Sequence, residues 1–211
     1  MYQKEYIGPL FYALENNNSI PSVELEYLNN FTLLVAIILS ARATDVGVNK
    51  ATGPLFQVCT SPQDIVDLGL EGLKSYVKTI GLYPTKAKNI ILTSKILIEK
   101  YQSNVPEDFE SLVSLPGVGR KTANVFLNTV FGADAIPVDT HVFRVSKRLG
   151  LAKSNSVLGV EKELLTHVPS QYLSRVSNWF VLHGRYICKA RKPLCNKCII
   201  RDYCEYYKQN F

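Results

Sequence analysis

The sequence predicts an all-α protein. Apolar residues recur at helical spacing along almost the whole chain, and the long alternating patterns typical of strands are absent. Gly and Pro residues interrupt this pattern at intervals that suit helices of ordinary length. With 211 residues, 46% of them hydrophobic and 20% charged, the chain is large enough to bury a core in one domain or in two.

Local start and stop signals place the first helices. The apolar run Phe31–Leu39 has nine residues, too few to span a bilayer, and predicts a buried core helix. A second helix should begin near Asp45 and end at Gly53-Pro54, because proline disrupts a helix interior. Ser61-Pro62 is typical of an N-cap followed by the first helical residue.

The same signals predict the remaining helices. Thr85 and Asp139 are the expected N-caps of two of them, and glycines end several others. The expected spans are 71–80 (ended by Gly81), 85–101, 106–115 (opened by Pro106), 120–131 (ended by Gly132), 139–149 (ended by Gly150), 158–166 and 172–188.

The charge balance is moderately basic. A net charge of +6 with a pI near 9.0 is, alone, a weak indication of a polyanionic partner. The first residues, Met-Tyr-Gln-Lys-Glu-Tyr, lack the apolar segment of a signal peptide, so a cytoplasmic protein with no membrane partner is expected.

Four cysteines near the C-terminus form the most specific pattern of the chain. Their spacing is C-x6-C-x2-C-x5-C, within seventeen residues: Cys188, Cys195, Cys198 and Cys204. Cytosolic thiols are reduced, so this cluster predicts metal ligands rather than disulfides. It can surround one tetrahedral zinc ion or one iron–sulfur cluster. Cys59 stands alone in an apolar stretch and is expected to be a small buried hydrophobe.

Basic residues accompany the cysteines. Lys189, Arg191 and Lys192 lie inside the first cysteine loop, and Arg185 precedes it. A loop tied at both ends by metal ligands is a rigid support for cations that bind phosphate, so we expect these four residues to contact nucleic acid.

A glycine-rich turn is the second strong motif. Residues 115–123 are Leu-Pro-Gly-Val-Gly-Arg-Lys-Thr-Ala, between two expected helices. Gly117 and Gly119 permit positive φ and leave the backbone around Val118 uncovered, so that N–H groups, the helix N-terminus and Arg120 can bind a phosphate. A plain turn between core helices is the simpler alternative. The P-loop pattern G-x-x-x-x-G-K-[ST] is not present.

Two residues near this turn suit covalent chemistry on a sugar. Lys121 falls in the first turn of a helix, where the dipole and partial burial would favour the neutral, nucleophilic amine. Asp139 can cap the next helix and also stabilise positive charge on a sugar or assist proton transfer. His141 is either a DNA contact or an ordinary helix residue.

These motifs together resemble the endonuclease III family of helix-hairpin-helix DNA glycosylases. The similarity covers nearly the whole chain and is carried by the four cysteines and by residues 39–45 (Leu-Ser-Ala-Arg-Ala-Thr-Asp), 79–83 (Thr-Ile-Gly-Leu-Tyr), 115–124, 138–141 (Val-Asp-Thr-His) and 182–186 (Leu-His-Gly-Arg-Tyr).

The resemblance implies an all-α fold of two domains. Residues 23–133 would form a six-helix barrel that contains the helix-hairpin-helix at about 107–131. Residues 1–22 and 134–211 would form the other domain, whose loop 188–204 binds one structural [4Fe–4S] cluster. Lys121 and Asp139 would meet in a cleft that holds the DNA.

The implied activity is base excision repair by a DNA glycosylase that is also an AP lyase, acting as a monomer on damaged duplex DNA. An oxidised pyrimidine would flip out of the helix, Lys121 would attack C1′, and β-elimination would cut 3′ to the lesion. The resemblance also implies that Leu82 wedges into the duplex, and it places Ser40 and Asp45 near the substrate pocket.

Arg42 is a departure from the family pattern. The family usually has Gln at this position, where it fills the gap left by the flipped base. Arginine can stack and donate hydrogen bonds to the orphaned base but cannot accept any. Opposite-base preference is therefore expected to differ, while the chemistry should not.

Three alternatives remain at this stage. An adenine-mispair glycosylase would carry a Glu in the helix at 31–39, where Ala36 stands instead, and would lack Lys121. A non-catalytic iron–sulfur protein that binds DNA would need neither Lys121 nor Asp139. A zinc site is the third, although spacings of six, two and five residues are unusual for zinc fingers.

Overall fold

The computed structural model describes residues 4–18, 21, 24–133 and 136–211, and these residues contain α-helices and short 3-10 turns but no strand. The all-α prediction is confirmed. The helices are α1 (Ile7–Asn17), α2 (Asn30–Ser40), α3 (Asp45–Phe56), α4 (Pro62–Val77), α5 (Tyr83–Tyr101), α6 (Phe109–Val113), α7 (Arg120–Phe131), α8 (Thr140–Leu149), α9 (Val157–His167), α10 (Leu173–Tyr186) and α11 (Glu205–Asn210).

The chain divides into two compact units. Glu24–Val130 form one, here called the central unit, and Met1–Val23 with Phe131–Phe211 form the other, here called the terminal unit. Each unit has a core of its own, as expected when two layers of amphipathic helices bury their apolar faces against each other.

Helix α2 is the core of the central unit. Every residue from Phe31 to Leu39 is buried, as the apolar run predicts. The helix begins with a reciprocal capping box, in which the Asn29 side chain accepts from the Thr32 N–H and the Thr32 hydroxyl accepts from the Asn29 N–H. Helices α3 and α5 pack against α2, and α4 packs against α5.

The terminal unit joins the two ends of the chain. Leu10 and Phe11 of α1 are fully buried in a core with Val142 of α8 and Phe180 of α10. The Trp179 indole N–H donates to the Asn18 carbonyl at 2.7 Å, which fixes the end of α1 on α10. Burial of this apolar surface explains why the first helix belongs with Phe131–Phe211 rather than with its sequence neighbours.

Most helix boundaries follow the expected caps, and four do not. Ser61 and Asp139 are N-caps and Gly150 is a left-handed C-cap, as predicted. Helix α3 continues past Pro54 to Phe56, because a proline in the last turn removes few hydrogen bonds. The predicted break before 71 lies at Gly69, whose φ of 73° kinks α4.

The other two differences are the start of α5 and the start of α6. Helix α5 begins at Tyr83 and not at Thr85, and the preceding residue, Leu82, has a left-handed backbone conformation. Helix α6 is a short helix, Phe109–Val113, capped by Asp108 rather than opened by Pro106. In both places the tertiary position of the preceding turn overrides the local capping signal.

Within the described residues, no helix is long and apolar enough to cross a membrane.

The cap at Ser61 allows a matched test of helix α4. Ser61→Ala removes the acceptor of the Asp64 N–H and should cost about 1 kcal/mol of the free energy of unfolding. Ser75→Ala in the same helix is the control, since Ser75 is exposed and alanine is the better helix former. Urea denaturation of both variants measures the difference. Equal destabilisation by the two changes would contradict the capping role.

Candidate active site and cysteine pocket

The glycine-rich turn is a hairpin between α6 and α7, and α5 supports it from below. The Thr93 hydroxyl donates to the Pro116 carbonyl at 2.9 Å. Gly117 has φ of 80°, and a Cβ there would stand 3.0 Å from Cβ and Nδ2 of Asn89. Gly117 is therefore required both for its backbone conformation and for the close approach of α5.

The second glycine of the hairpin serves another purpose. Both glycines permit positive φ, but only Gly117 of the two adopts it, and Gly119 does not. A Cβ there would meet nothing within 4 Å, so Gly119 leaves the backbone bare on an exposed side. Between the two glycines, Val118 is buried, and its N–H donates to the Leu115 carbonyl at 3.1 Å. Val118 thus anchors the hairpin through its side chain.

Helix α7 starts directly after the hairpin. Its first intrahelical bond runs from the Ala123 N–H to the Gly119 carbonyl at 3.0 Å, so the N–H groups of the first turn point out of the helix N-terminus. The Arg120 guanidinium lies over the Phe109 ring, 5.0 Å from its centroid, which holds this exposed cation on α6.

Lys121 occupies the first turn of α7 and is exposed. The expected partial burial of its amine is therefore not found, because the first turn of α7 projects from the surface of its unit. Its place at the positive end of the helix dipole is as expected.

Asp139 opens α8 in the terminal unit. Its Oδ1 accepts hydrogen bonds from the N–H groups of His141 and Val142, at 2.8 and 2.9 Å, so the expected N-cap is present. The half-buried carboxylate is consequently fixed in orientation by the helix it caps. Lys121 and Asp139 belong to different units of the chain.

His141 is part of a close contact between α8 and α10. A Cβ on Gly184 would stand only 2.8 Å from the His141 Cβ. Arg144 strengthens this contact: its NH2 donates to the Gly184 carbonyl at 2.9 Å and lies 3.2 Å from Nδ1 of His141. The glycine in the 182–186 motif thus has a packing role, and the His141 ring is partly covered by its own helix neighbours.

The four cysteines line one pocket in the terminal unit. Apolar parts of Val145, Leu149 and Ile187 line it as well, together with Tyr206 and Tyr207. Within the described residues, no group of three or more His, Cys, Asp or Glu side chains is arranged to hold a single metal ion. Four thiols around one pocket are a donor set for one tetrahedral zinc ion or one iron–sulfur cluster.

Burial makes two thiols of this pocket weaker acids. It raises the pKa of Cys198 to about 12 and also raises the pKa of Cys204. Burial likewise lowers the pKa of the neighbouring His183 to about 4, and its Nε2 lies 3.4 Å from Sγ of Cys198. Metal coordination deprotonates thiols outright, so this donor set fits a group that brings its own positive charge.

Two arginines of α8 hold the first cysteine loop. The Arg144 Nε donates to the Cys188 carbonyl at 3.0 Å. Arg148 donates to the Cys188 sulfur at 3.3 Å and to the carbonyls of Lys189 and Ala190 at 2.8 and 3.0 Å. Neither arginine is predicted from the sequence, since nothing in the sequence connects α8 with a loop forty residues away.

The loop presents its cations to solvent. Lys189, Arg191 and Lys192 are exposed, and Arg185, which precedes them on α10, is half-buried. Lys192 adopts a left-handed conformation, with φ of 52°. The structure therefore presents three cations together on a loop that Arg148 fixes by its carbonyls.

The remaining predicted residues lie at turns of the central unit. Arg42 follows α2 and is exposed, and Leu82 precedes α5 with 62% of its surface exposed. Both have left-handed backbone, with φ of 59° and 61°. The Ser40 hydroxyl donates to the Ile37 carbonyl at 2.8 Å, and Asp45 is the half-buried first residue of α3.

Lys86, a lysine of α5 that is only 6% exposed, is a further residue that the sequence motifs do not predict. Its Nζ donates to the carbonyls of Leu39 and Ala41, at 2.8 and 2.6 Å. The helical register does indicate that Lys86 is buried, since it lies four residues before the buried Ile90 on the inner face of α5.

Comparison with known proteins defines the class of this fold and site. Residues 35–170 match the model of the HhH-GPD superfamily of base excision DNA repair proteins, and residues 188–204 match the iron-sulfur binding domain of endonuclease III. The cysteine segment thus binds a [4Fe–4S] cluster, and the zinc alternative is excluded.

Curated relatives narrow the class further. Endonuclease III of Rickettsia prowazekii is 56% identical over 209 residues, covering 99% of each chain. The Escherichia coli K12 and Haemophilus influenzae enzymes of that name are 53% and 57% identical, over 92% of each chain. The chain belongs to the endonuclease III family, and it is a DNA glycosylase with AP lyase activity.

Solved structures agree with this assignment. A trapped endonuclease III–DNA covalent intermediate, in an estranged-adenine complex, has a TM-score of 0.90 at 42% identity and covers 99% of both chains. A non-covalent endonuclease III–DNA complex has a TM-score of 0.91 at 43% identity, covering 99% of this chain and 98% of the other.

The different roles of the hairpin glycines give a matched pair of variants. Gly117→Ala forces a left-handed alanine against Asn89 and should lower the free energy of unfolding by about 1–3 kcal/mol. Gly119→Ala meets nothing and should leave stability unchanged or raise it by up to about 1 kcal/mol. Thermal unfolding of both variants tests this. A Gly119→Ala variant as unstable as Gly117→Ala would contradict the assignment.

Proposed function

We propose that this enzyme removes oxidised pyrimidines from duplex DNA through a Schiff base on Lys121. The observation that carries the proposal is the position of this lysine: exposed, in the first turn of α7, and directly after a hairpin whose backbone is bare at Gly119. A nucleophile next to a phosphate-binding backbone is placed at the sugar of the nucleotide that the hairpin holds.

DNA is held mainly through its phosphates. The hairpin, anchored by the buried Val118, offers the backbone N–H groups of Gly117 and Gly119 and the positive end of α7, and Arg120 adds a cation. Arg185 and the exposed loop cations Lys189, Arg191 and Lys192 bind phosphates from the terminal unit. Such contacts are independent of sequence, which suits an enzyme that must find damage in any context.

The reaction proceeds by exchange at C1′ of the flipped nucleotide. The neutral amine of Lys121 forms a bond to C1′ as the glycosidic bond breaks, and the base leaves with the bonding electrons and takes up a proton. Opening of the sugar ring gives the Schiff base. Loss of a C2′ proton then expels the 3′ phosphate by β-elimination, which cuts the strand.

Asp139 serves this reaction through its fixed carboxylate. With Oδ1 engaged by two backbone N–H groups, the carboxylate cannot rotate freely, so its charge is preorganised. It stabilises the positive charge that builds on the sugar as the base leaves, and it assists proton transfer to and from the lysine amine.

The cluster has a structural task. Cys188, Cys195, Cys198 and Cys204 are the proposed ligands of the [4Fe–4S] cluster, which contributes a rigid cross-link between the loop and the end of the chain.

The two proposed domains are residues 23–133, with the helix-hairpin-helix at about 107–131, and residues 1–22 with 134–211. His141 packs beside Arg144 of α8, which holds the cluster loop, and contributes an edge contact to DNA.

Arg42 and Leu82 act on the duplex around the lesion. Leu82, an exposed apolar side chain at a tight turn, wedges between base pairs, and Arg42 fills the gap and donates hydrogen bonds to the orphaned base. Ser40 and Asp45 flank this turn at the edge of the substrate pocket. The enzyme acts as a monomer in the cytoplasm, where it meets damaged double-stranded DNA.

Replacing the nucleophile tests the mechanism directly. Lys121→Gln keeps the length of the side chain but has no basic amine, so borohydride should trap no covalent complex on a thymine-glycol duplex. Duplex binding should fall by no more than about tenfold, as expected for loss of one cation. Lys100→Gln, at an exposed lysine of α5, is the control and should trap like the wild type. Undiminished trapping by Lys121→Gln would refute the role of Lys121.

The cap and the catalytic role of Asp139 can be separated. Asparagine is as good an N-cap as aspartate, so Asp139→Asn should retain the free energy of unfolding within about 0.5 kcal/mol while trapping slows at least about 100-fold. Asp108→Asn, the same change at the cap of α6, should leave trapping unchanged. If trapping by Asp139→Asn is as fast as by the wild type, Asp139 is a structural cap alone.

A further inference from the structure

Lys86 is the buried cation of the central unit, and its surroundings give it an unusual task. The side chain is 6% exposed and reaches from α5 to the end of α2, where its Nζ donates to the Leu39 and Ala41 carbonyls. These carbonyls belong to the C-terminal end of α2, which is the negative end of its dipole. A cation there compensates carbonyls that no later turn of the helix can satisfy.

The carbonyl of Ala41 lies inside the turn that presents Arg42. Ala41 has φ of −55° and ψ of 111°, Arg42 has φ of 59°, and the Ala43 N–H donates to the Ser40 carbonyl at 2.9 Å. This is the conformation of a type II turn, whose third residue is normally glycine. Arginine at that position is strained, so it stays there only if the surrounding contacts hold it.

The backbone of Lys86 is tied to the other exposed turn. Its N–H donates to the Leu82 carbonyl at 3.1 Å, which is the first turn of α5. Leu82 is likewise a non-glycine residue with left-handed backbone and a largely exposed side chain. One residue therefore connects two strained, exposed turns, through its side chain to Arg42 and through its backbone to Leu82.

Burial of a charged ammonium is unfavourable, and it lowers the pKa of Lys86. A Met side chain of similar length would fill the same space without that cost, but it could not donate to two carbonyls at once. Lysine is thus required at this position because it donates hydrogen bonds to the turn, and not because it fills space.

We infer that Lys86 is a positioning residue for recognition of the undamaged strand. Its side chain binds the turn at Ala41, and its backbone N–H binds the turn at Leu82. Lys86 thereby fixes the separation of Arg42 and Leu82, so that Arg42 fills the gap left by the flipped base while Leu82 wedges between base pairs. This inference rests on the proposed roles of Arg42 and Leu82. Lys86 itself touches neither DNA nor the reacting sugar.

A double-mutant cycle on opposite-base discrimination tests it. Discrimination is the ratio of glycosylase rates for thymine glycol opposite adenine and opposite guanine, measured in single turnover. Lys86→Met should change this ratio by about fivefold, the effect of losing one ordinary polar contact. In an Arg42→Ala background, Lys86→Met should change the ratio by less than about twofold, since the turn then has no side chain to position.

Two further measurements separate positioning from mere support of the fold. Cleavage at a preformed abasic site, with saturating enzyme, should be retained by Lys86→Met within about threefold, because Lys121 is untouched. Lys86→Arg keeps a cation and several donors and should restore most of the discrimination. If Lys86→Met fails to fold, Lys86→Gln, which retains an amide donor, replaces it in the cycle.

The possible outcomes distinguish the inference from the function on which it rests. If Arg42→Ala leaves discrimination unchanged, the proposed role of Arg42 is wrong and the role of Lys86 is wrong with it. If Arg42→Ala alters discrimination but Lys86→Met does not, only the inference on Lys86 is overturned. Equal effects of Lys86→Met in both backgrounds would mean that Lys86 is a general structural strut, which also overturns it.

Discussion

The packing of α5 is the constraint on which the central unit depends. Leu82 stands at its N-terminus, Lys86 binds the turn before Arg42, and Thr93 binds the Pro116 carbonyl of the hairpin. Eleven residues separate the first of these contacts from the last, about 16 Å along a helix axis. Three exposed turns are thus spaced by one rigid helix, so their separation does not depend on the conformations of the loops between them.

Helix α8 has the corresponding place in the terminal unit. Asp139 caps its N-terminus, while Arg144 and Arg148, one turn apart, bind the backbone of the first cysteine loop. The capping carboxylate of Asp139 and the basic cysteine loop are consequently attached to the same helix. Movement of the loop relative to the carboxylate would require breaking several charge-assisted hydrogen bonds.

The sequence predicts features that depend on local chemistry and fails where distant segments meet. Caps at Ser61 and Asp139 and the core helix at 31–39 follow from side chains adjacent to the backbone they serve. The start of α5 at Tyr83 does not, because tertiary contacts fix a left-handed Leu82 that no propensity favours. Lys86 and Arg148 were missed for the same reason, since their partners lie 45 and 41 residues away.

Charge balance explains why the basic loop lies beside the cysteines. Arg148 already fixes two of its carbonyls and lies over the Tyr206 ring, 4.8 Å from the centroid, so part of the loop's order comes from protein contacts alone. The same arginine, however, adds positive charge beneath three exposed cations, which repel one another. Arg148 and Arg201 line the same pocket as the four cysteines. When the cysteines are thiolates, they bring negative charge to this position. Thiolate ligation of a cluster at this position therefore offsets the repulsion among the exposed cations of the loop.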